Sequence, residues 1–244
     1  MIRTGVSAAL ALTLASAVAR AQAPAEPTPT LDWNQVPAPP PAAAGPPRWM
    51  LAAGVRTLYI KGAGYDPFSS DDAFVQFSLT GTGAVVRRNE LSLAAGVGLD
   101  VGASSAHARG SATDLHMTRV SALVEGRYQP ASRLYFFARL APGLLHGSAQ
   151  IDDASSPAGA TMQATFDTFA VDLGAGAALR LGTVARPQIR AWLVADGGYG
   201  WASAQSLLLS PSLGSDSNKA GSLDLGSLAP RGGFFRVALA LSYD

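Results

Sequence analysis

The chain has 244 residues with a formal net charge of +1, and 14% of them are charged, against about 25% in ordinary soluble proteins. So few charges and a positive mean hydropathy speak against a water-soluble domain, and a balance this close to neutral supplies no field to hold nucleic acid. The lack of cysteine excludes disulfides, thiolate metal sites and a lipid-bearing N-terminal cysteine, and past the N-terminus no run approaches the roughly 18 apolar residues of a membrane helix.

Residues 1–21 read as a secretory signal peptide. Arg3 supplies the positive start, Ala8 to Val18 the short apolar stretch, and Ala19-Arg20-Ala21 an A-x-A cleavage site. Residues 22–47 read as a Pro/Ala-rich linker, expected to be extended or disordered. It carries nine of the sixteen prolines, which withhold the N–H that a ladder requires. From residue 48 a period of two sets in, and 48–244 is read as one β domain.

Eight strands are expected. In 48–60, Trp49, Leu51, Ala53, Val55 and Tyr59 share one face and Ala52, Gly54 and Arg56 the other. Strand 74–86 sets Val75, Phe77, Leu79 and Val85 against Gln76, Ser78 and Thr80. The clearest is 90–102, ELSLAAGVGLDVG, where Leu91, Leu93, Val97, Leu99 and Val101 oppose Ser92, Gly96, Gly98 and Asp100. Strand 116–128 turns Arg119, Ser121, Glu125 and Arg127 away from Val120, Val124 and Tyr128. Strand 133–146 repeats the pattern with Arg139 inward, although Tyr135 and Phe137 land on the same face and Pro142 interrupts the ladder. Strand 168–181 places Asp172, Gly174, Gly176 and Arg180 opposite Phe169, Val171, Leu173 and Leu179. Strand 188–201 puts Arg190, Trp192, Val194 and Asp196 inward, and 234–244 turns Phe235, Val237, Leu239, Leu241 and Tyr243 outward, opposite Arg236.

Connections alternate short and long: turns near residues 88, 130 and 184, loops near 66, 109, 156 and 217. That rhythm matches short periplasmic turns and longer outer loops, with both termini at the turn end. The polar face decides between membrane and water. A soluble barrel shows Lys, Glu and Thr outside and bulky hydrophobes inside, whereas here the second face is Gly, Ala and Ser punctuated by single charges. The expectation is an all-β, eight-stranded antiparallel up-and-down transmembrane barrel in the cell outer membrane, and closure follows because an open edge in hydrocarbon leaves backbone groups unsatisfied.

On this architecture residues 48–244 resemble the small outer-membrane barrels of the OmpA and OmpX type. The resemblance implies insertion by the outer-membrane assembly machinery, which reads a C-terminal amphipathic strand ending in an aromatic residue; here Tyr243 is followed by Asp244. The barrel is expected to be a monomer in contact with outer-membrane lipid and lipopolysaccharide. No peptidoglycan-binding domain is expected after the barrel.

The inward charges are read as two layers. Arg56, Asp100, Arg119, Asp172 and Arg236 lie toward the loops; Glu125, Arg127, Arg180 and Arg190 lie toward the turns, with Arg139 and Asp196 between them. Eight strands leave room for little beyond side chains, so a paired plug is favoured over a narrow pore. His146-Gly147-Ser148 has the His-x-Ser spacing of the outer-membrane lipid A deacylase, in which a histidine would activate the serine; the asparagine that follows in that family is Ala149 here. His107, His116 and Asp114 show no diagnostic metal spacing, Asp66, Asp71 and Asp72 read as a solvated loop, and no cofactor is expected. The function expected is non-enzymatic, structural or surface-interacting, with loop 202–232 and its leucines as the first choice of partner surface. The alternatives are a lipid-modifying hydrolase and a narrow pore.

Overall fold

The computed structural model describes residues 45–108, 111–153, 160–185, 189–212 and 222–243. The proposed signal peptide and all but the last three linker residues lie outside them, as does the turn at Pro187. The described residues form ten strands: β1 (Trp49–Tyr59), β2 (Ala73–Arg88), β3 (Leu91–Ala108), β4 (Ser111–Ala131), β5 (Leu134–Asp153), β6 (Ala160–Ala185), β7 (Ile189–Ala202), β8 (Gln205–Pro211), β9 (Leu223–Leu228) and β10 (Gly232–Tyr243). Strands β1 to β7 pair in sequence, all antiparallel. Strand β10 then joins β7 on one side and β1 on the other, which closes an eight-stranded ring.

The register fixes which face is which. Leu51 pairs with Leu241 and Gly81, while Arg56 pairs with Arg236 and Gln76. A one-residue slip would exchange the two sets wholesale. The apolar set is outside: Leu51, Val97, Leu144, Leu173 and Leu239 are each more than half exposed. Its inward neighbours Arg56, Asp100, Arg119 and Asp172 are buried. Exposed aromatics gather at both ends of the apolar band, Trp49, Tyr128, Phe136 and Tyr243 toward the turns, and Tyr59, Phe169, Tyr199 and Trp201 toward the loops. Trp49 and Tyr59 are ten residues apart, roughly 33 Å of strand; tilted by about 40° this spans about 25 Å along the axis, the height of a lipid-facing band.

Three departures from the sequence reading follow from strand length and loop packing. Strands β3 to β6 run well past the apolar band, so most of the expected loops near 109 and 156 is paired strand. The turn after β4 is shorter than expected: Gln129 is buried and Ala131 pairs with Leu134, leaving Ser132 and Arg133 to reverse the chain. At the β2–β3 turn, Asn89 takes a left-handed φ of 53°, which asparagine tolerates better than most residues.

The third departure corrects the reading of loop 202–232 as a free apolar surface. Strands β8 and β9 form a hairpin within it, and β8 attaches to β6 through Met162↔Pro211 and Gln163↔Ser210. Its alternation turns Leu207 and Leu209 inward, where both are fully buried together with Leu228; Leu208 and Leu223 remain exposed.

Candidate functional site

The interior is stacked in three layers. At the loop end, Tyr65 and Phe68 of the 60–72 loop fold down over Phe74, Leu115, Met117, Leu145 and Phe166, and the hairpin leucines complete this apolar cap. Hydroxyl groups tie the loop in place: Ser104 donates to the Phe68 carbonyl at 2.7 Å, Thr113 to that of Pro67 at 2.6 Å, and Tyr65 to that of Ala73 at 3.1 Å. At the turn end, Met50, Tyr135, Phe137, Trp192 and Val194 form an apolar floor. Its polar atoms are satisfied internally, Trp192 Nε1 donating to Ser242 Oγ at 2.8 Å and the Tyr135 hydroxyl to Met50 Sδ at 3.0 Å.

Between cap and floor lie the charges. Arg56 reaches Asp100 at 3.3 Å and Asp172 at 2.9 Å, and Arg119 also bonds Asp172 while giving its Nη2 to the Ala141 carbonyl at 2.5 Å. A second chain runs Arg127–Glu125–Arg139–Asp196–Arg236, with contacts of 2.8, 2.5, 3.4 and 2.7 Å in that order. Arg236 was expected with the loop-side group; the structure ties it to Asp196 instead, because Arg236 and Asp196 are register partners on β10 and β7.

Among the described residues, five buried guanidinium groups thus meet four buried carboxylates. The surplus charge lies against ring faces: Arg56 over Phe234 at 4.7 Å, Arg139 over Phe137 at 5.1 Å and Arg127 over Tyr135 at 5.8 Å. Arg180 and Arg190, also expected in this network, are half-buried near the turn rim, where water meets the wall. Arg180 shows no ion pair among the described residues.

The packing leaves little free space. Two lumenal cavities beside Arg56 and Arg119 have volumes of about 20 Å³ each, on the scale of about one water molecule. One carries Asp196 and Arg236 in its wall, the other Leu145 and Pro230.

A closed ring, oily outside and ionic within, suits hydrocarbon and not water. The molecule is a transmembrane β-barrel. Its architecture is that of the small eight-stranded outer-membrane barrels. Among solved structures it is similar to the attachment invasion locus protein Ail of Yersinia pestis, in complex with the heparin analogue sucrose octasulfate, at 12% identity over 80% of this chain and 97% of that one, with a TM-score of 0.43. It is similar to the Neisserial surface protein A at 14% identity, over the same shares and with a TM-score of 0.42. No family model and no curated protein matches the sequence.

Outside the barrel, the four long strands continue beyond the band with a polar exterior. Past Val101, Val120, Leu144 and Phe169, the outward positions become Ser105 and His107 on β3, Asp114, His116 and Thr118 on β4, His146 and Ser148 on β5, and Thr165 and Asp167 on β6. His146 and Ser148 therefore lie on the outer wall and not at a strand end. His146 Nδ1 contacts Asp167 Oδ1 at 2.9 Å, its register partner on β6. Asp152, which follows the motif in sequence, accepts from Gln150 Nε2 at 3.1 Å and takes no part in the His146 contact. No hydrogen bond joins Ser148 to His146 among the described residues. His107, His116 and Asp114 form no metal-holding group among them either.

Proposed function

We propose that this protein is a non-enzymatic outer-membrane barrel that acts at the cell surface through the polar exterior of its β3–β6 wall. One observation carries the reading: the strands continue as a paired wall beyond the membrane band, while cap, ions and floor fill the lumen. From Phe169 to Ala160 the β6 extension is nine residues, about 30 Å of strand. The inner face of that wall holds the cap through Leu115, Leu145, Ala149 and Phe166, which leaves its polar outer face for contact. In this reading the signal peptide directs export, both termini face the periplasm, the assembly machinery inserts the β10 end, and lipopolysaccharide surrounds the wall's base.

The test shortens the wall in register. Removing residues 106–113 leaves Ser104 facing Leu115, its existing partner, with Ser105 and Asp114 as the two-residue turn between them, and spares the band. Cells carrying the shortened protein are expected to lose attachment to matrix- or polysaccharide-coated surfaces while the barrel still migrates as a folded species without boiling. Equal attachment by cells with the full wall, the short wall and no protein would contradict the proposal.

A second reading is favoured by the His146–Asp167 contact alone. An acid that holds Nδ1 frees Nε2 to serve as a base toward Ser148, two residues along the same face just above the apolar band. Release of fatty acid from lipopolysaccharide by the purified barrel, abolished in Ser148→Ala, would establish it. No release would dismiss it.

A further inference from the structure

We infer that the barrel wall carries a seat for one acyl chain of an anionic glycerophospholipid, on the side of β1, β2 and β3 near the turns. This rests on the barrel being embedded in a bilayer, and not on which of its ends faces outward. Most outward positions on the wall are filled by large side chains, but here three in a row are not. Gly81 and Gly83 on β2 and Ala95 on β3 leave bare backbone between ridges formed by Trp49 and Leu51 on one side and Val97 on the other. The result is an apolar groove of about 560 Å³. The Trp49 indole lies across Gly83, close enough that a Cβ there would meet it at 2.5 Å, so aromatic and glycine together shape the groove's end.

The rim says which lipid. Beyond the groove, Arg48, Arg87, Arg88 and Arg133 are exposed at the turn end, with Glu90 the one exposed acid of those turns among the described residues. Hydrocarbon in the groove would place the headgroup at the level of Tyr243 and Trp49, within reach of that basic edge. Each arginine near a membrane surface favours an anionic headgroup by about 1 kcal/mol, roughly fivefold. A second copy of the chain suits the groove poorly, because two such rims would bring like charges together.

The experiment is native mass spectrometry of the full, folded chain released from detergent with equal amounts of phosphatidylglycerol and phosphatidylcholine. One phosphatidylglycerol is expected to stay bound, about fivefold or more over phosphatidylcholine. Gly81→Leu should remove that adduct: a Cβ there meets only Leu51 Cδ1, at 3.9 Å, so the substitution fills the groove without strain. If it fails to fold, Ala95→Leu fills the same space. Arg87→Gln with Arg88→Gln should keep an adduct but lower the headgroup preference severalfold, with Arg48 and Arg133 left at the rim. Equal retention of both lipids, an adduct indifferent to the filled groove, or a dimer that the filling abolishes would each overturn the inference.

Discussion

Glu125 sits between Arg127 and Arg139 with 1% of its surface exposed, and it is where the lumen is most sensitive to a single change. Glu125→Ala leaves two guanidinium groups buried and short of a partner, and the expected loss is about 3–5 kcal/mol. Urea unfolding of the barrel refolded in phospholipid vesicles measures it. Arg180→Gln, at the wetter rim, is expected to cost less than about 1 kcal/mol in the same assay. On the outer wall the rule reverses. Leu239→Arg, near the middle of the band, should cost about 2–4 kcal/mol, since the charge would face hydrocarbon. The inward position of Arg56 and Asp100 was readable because each interrupts a row of small residues at the strand period, and that of Arg119 because it shares the parity of Ser121, Glu125 and Arg127. The partner of each charge was not, since register decides it: Arg236 lies beside Asp196 across a pairing between strands 40 residues apart. Asp167 escaped for the same reason, being the neighbour of His146 across β6 and not along the chain.

Elements show a different limit. The eight ring strands follow from alternation, which in 90–102 admits no other reading. Their loop-side ends do not, because the outward face turns polar there and the oily signal fades. The inward positions kept it, however: Leu115 and Met117 continue the parity of Arg119, and Leu145 and Ala149 that of Arg139. Read as an inner face, they anticipate an apolar cap. Tyr135 and Phe137 looked out of place inside strand 133–146, yet a floor of aromatic rings closes the turn end of the lumen. The β8–β9 hairpin was hidden because its leucines resemble a sticky loop until their alternation is matched to a surface to cover. Leu207→Asp combined with Leu209→Asp should release the hairpin while leaving the ring intact. Proteinase K is expected to cut within 205–228 of that variant many times faster than in the parent, with the heat-dependent gel shift of the ring preserved. Unchanged cleavage would mean the leucines do not hold the hairpin.

For the molecule as a whole, cap, ionic belt and floor form three successive barriers across one lumen, so planar bilayers containing the protein should show no porin-sized conductance. The central claim is simpler: oily side chains face lipid and ions face the axis. Because the chain has no cysteine, a spin label can be placed at each residue of 91–102 in turn, in the refolded barrel. Collision with oxygen, which concentrates in hydrocarbon, should then rise at Leu91, Leu93, Ala95, Val97, Leu99 and Val101 and fall at the residues between them. A flat profile, or one whose maxima fall at Gly96, Gly98 and Asp100, would contradict the account.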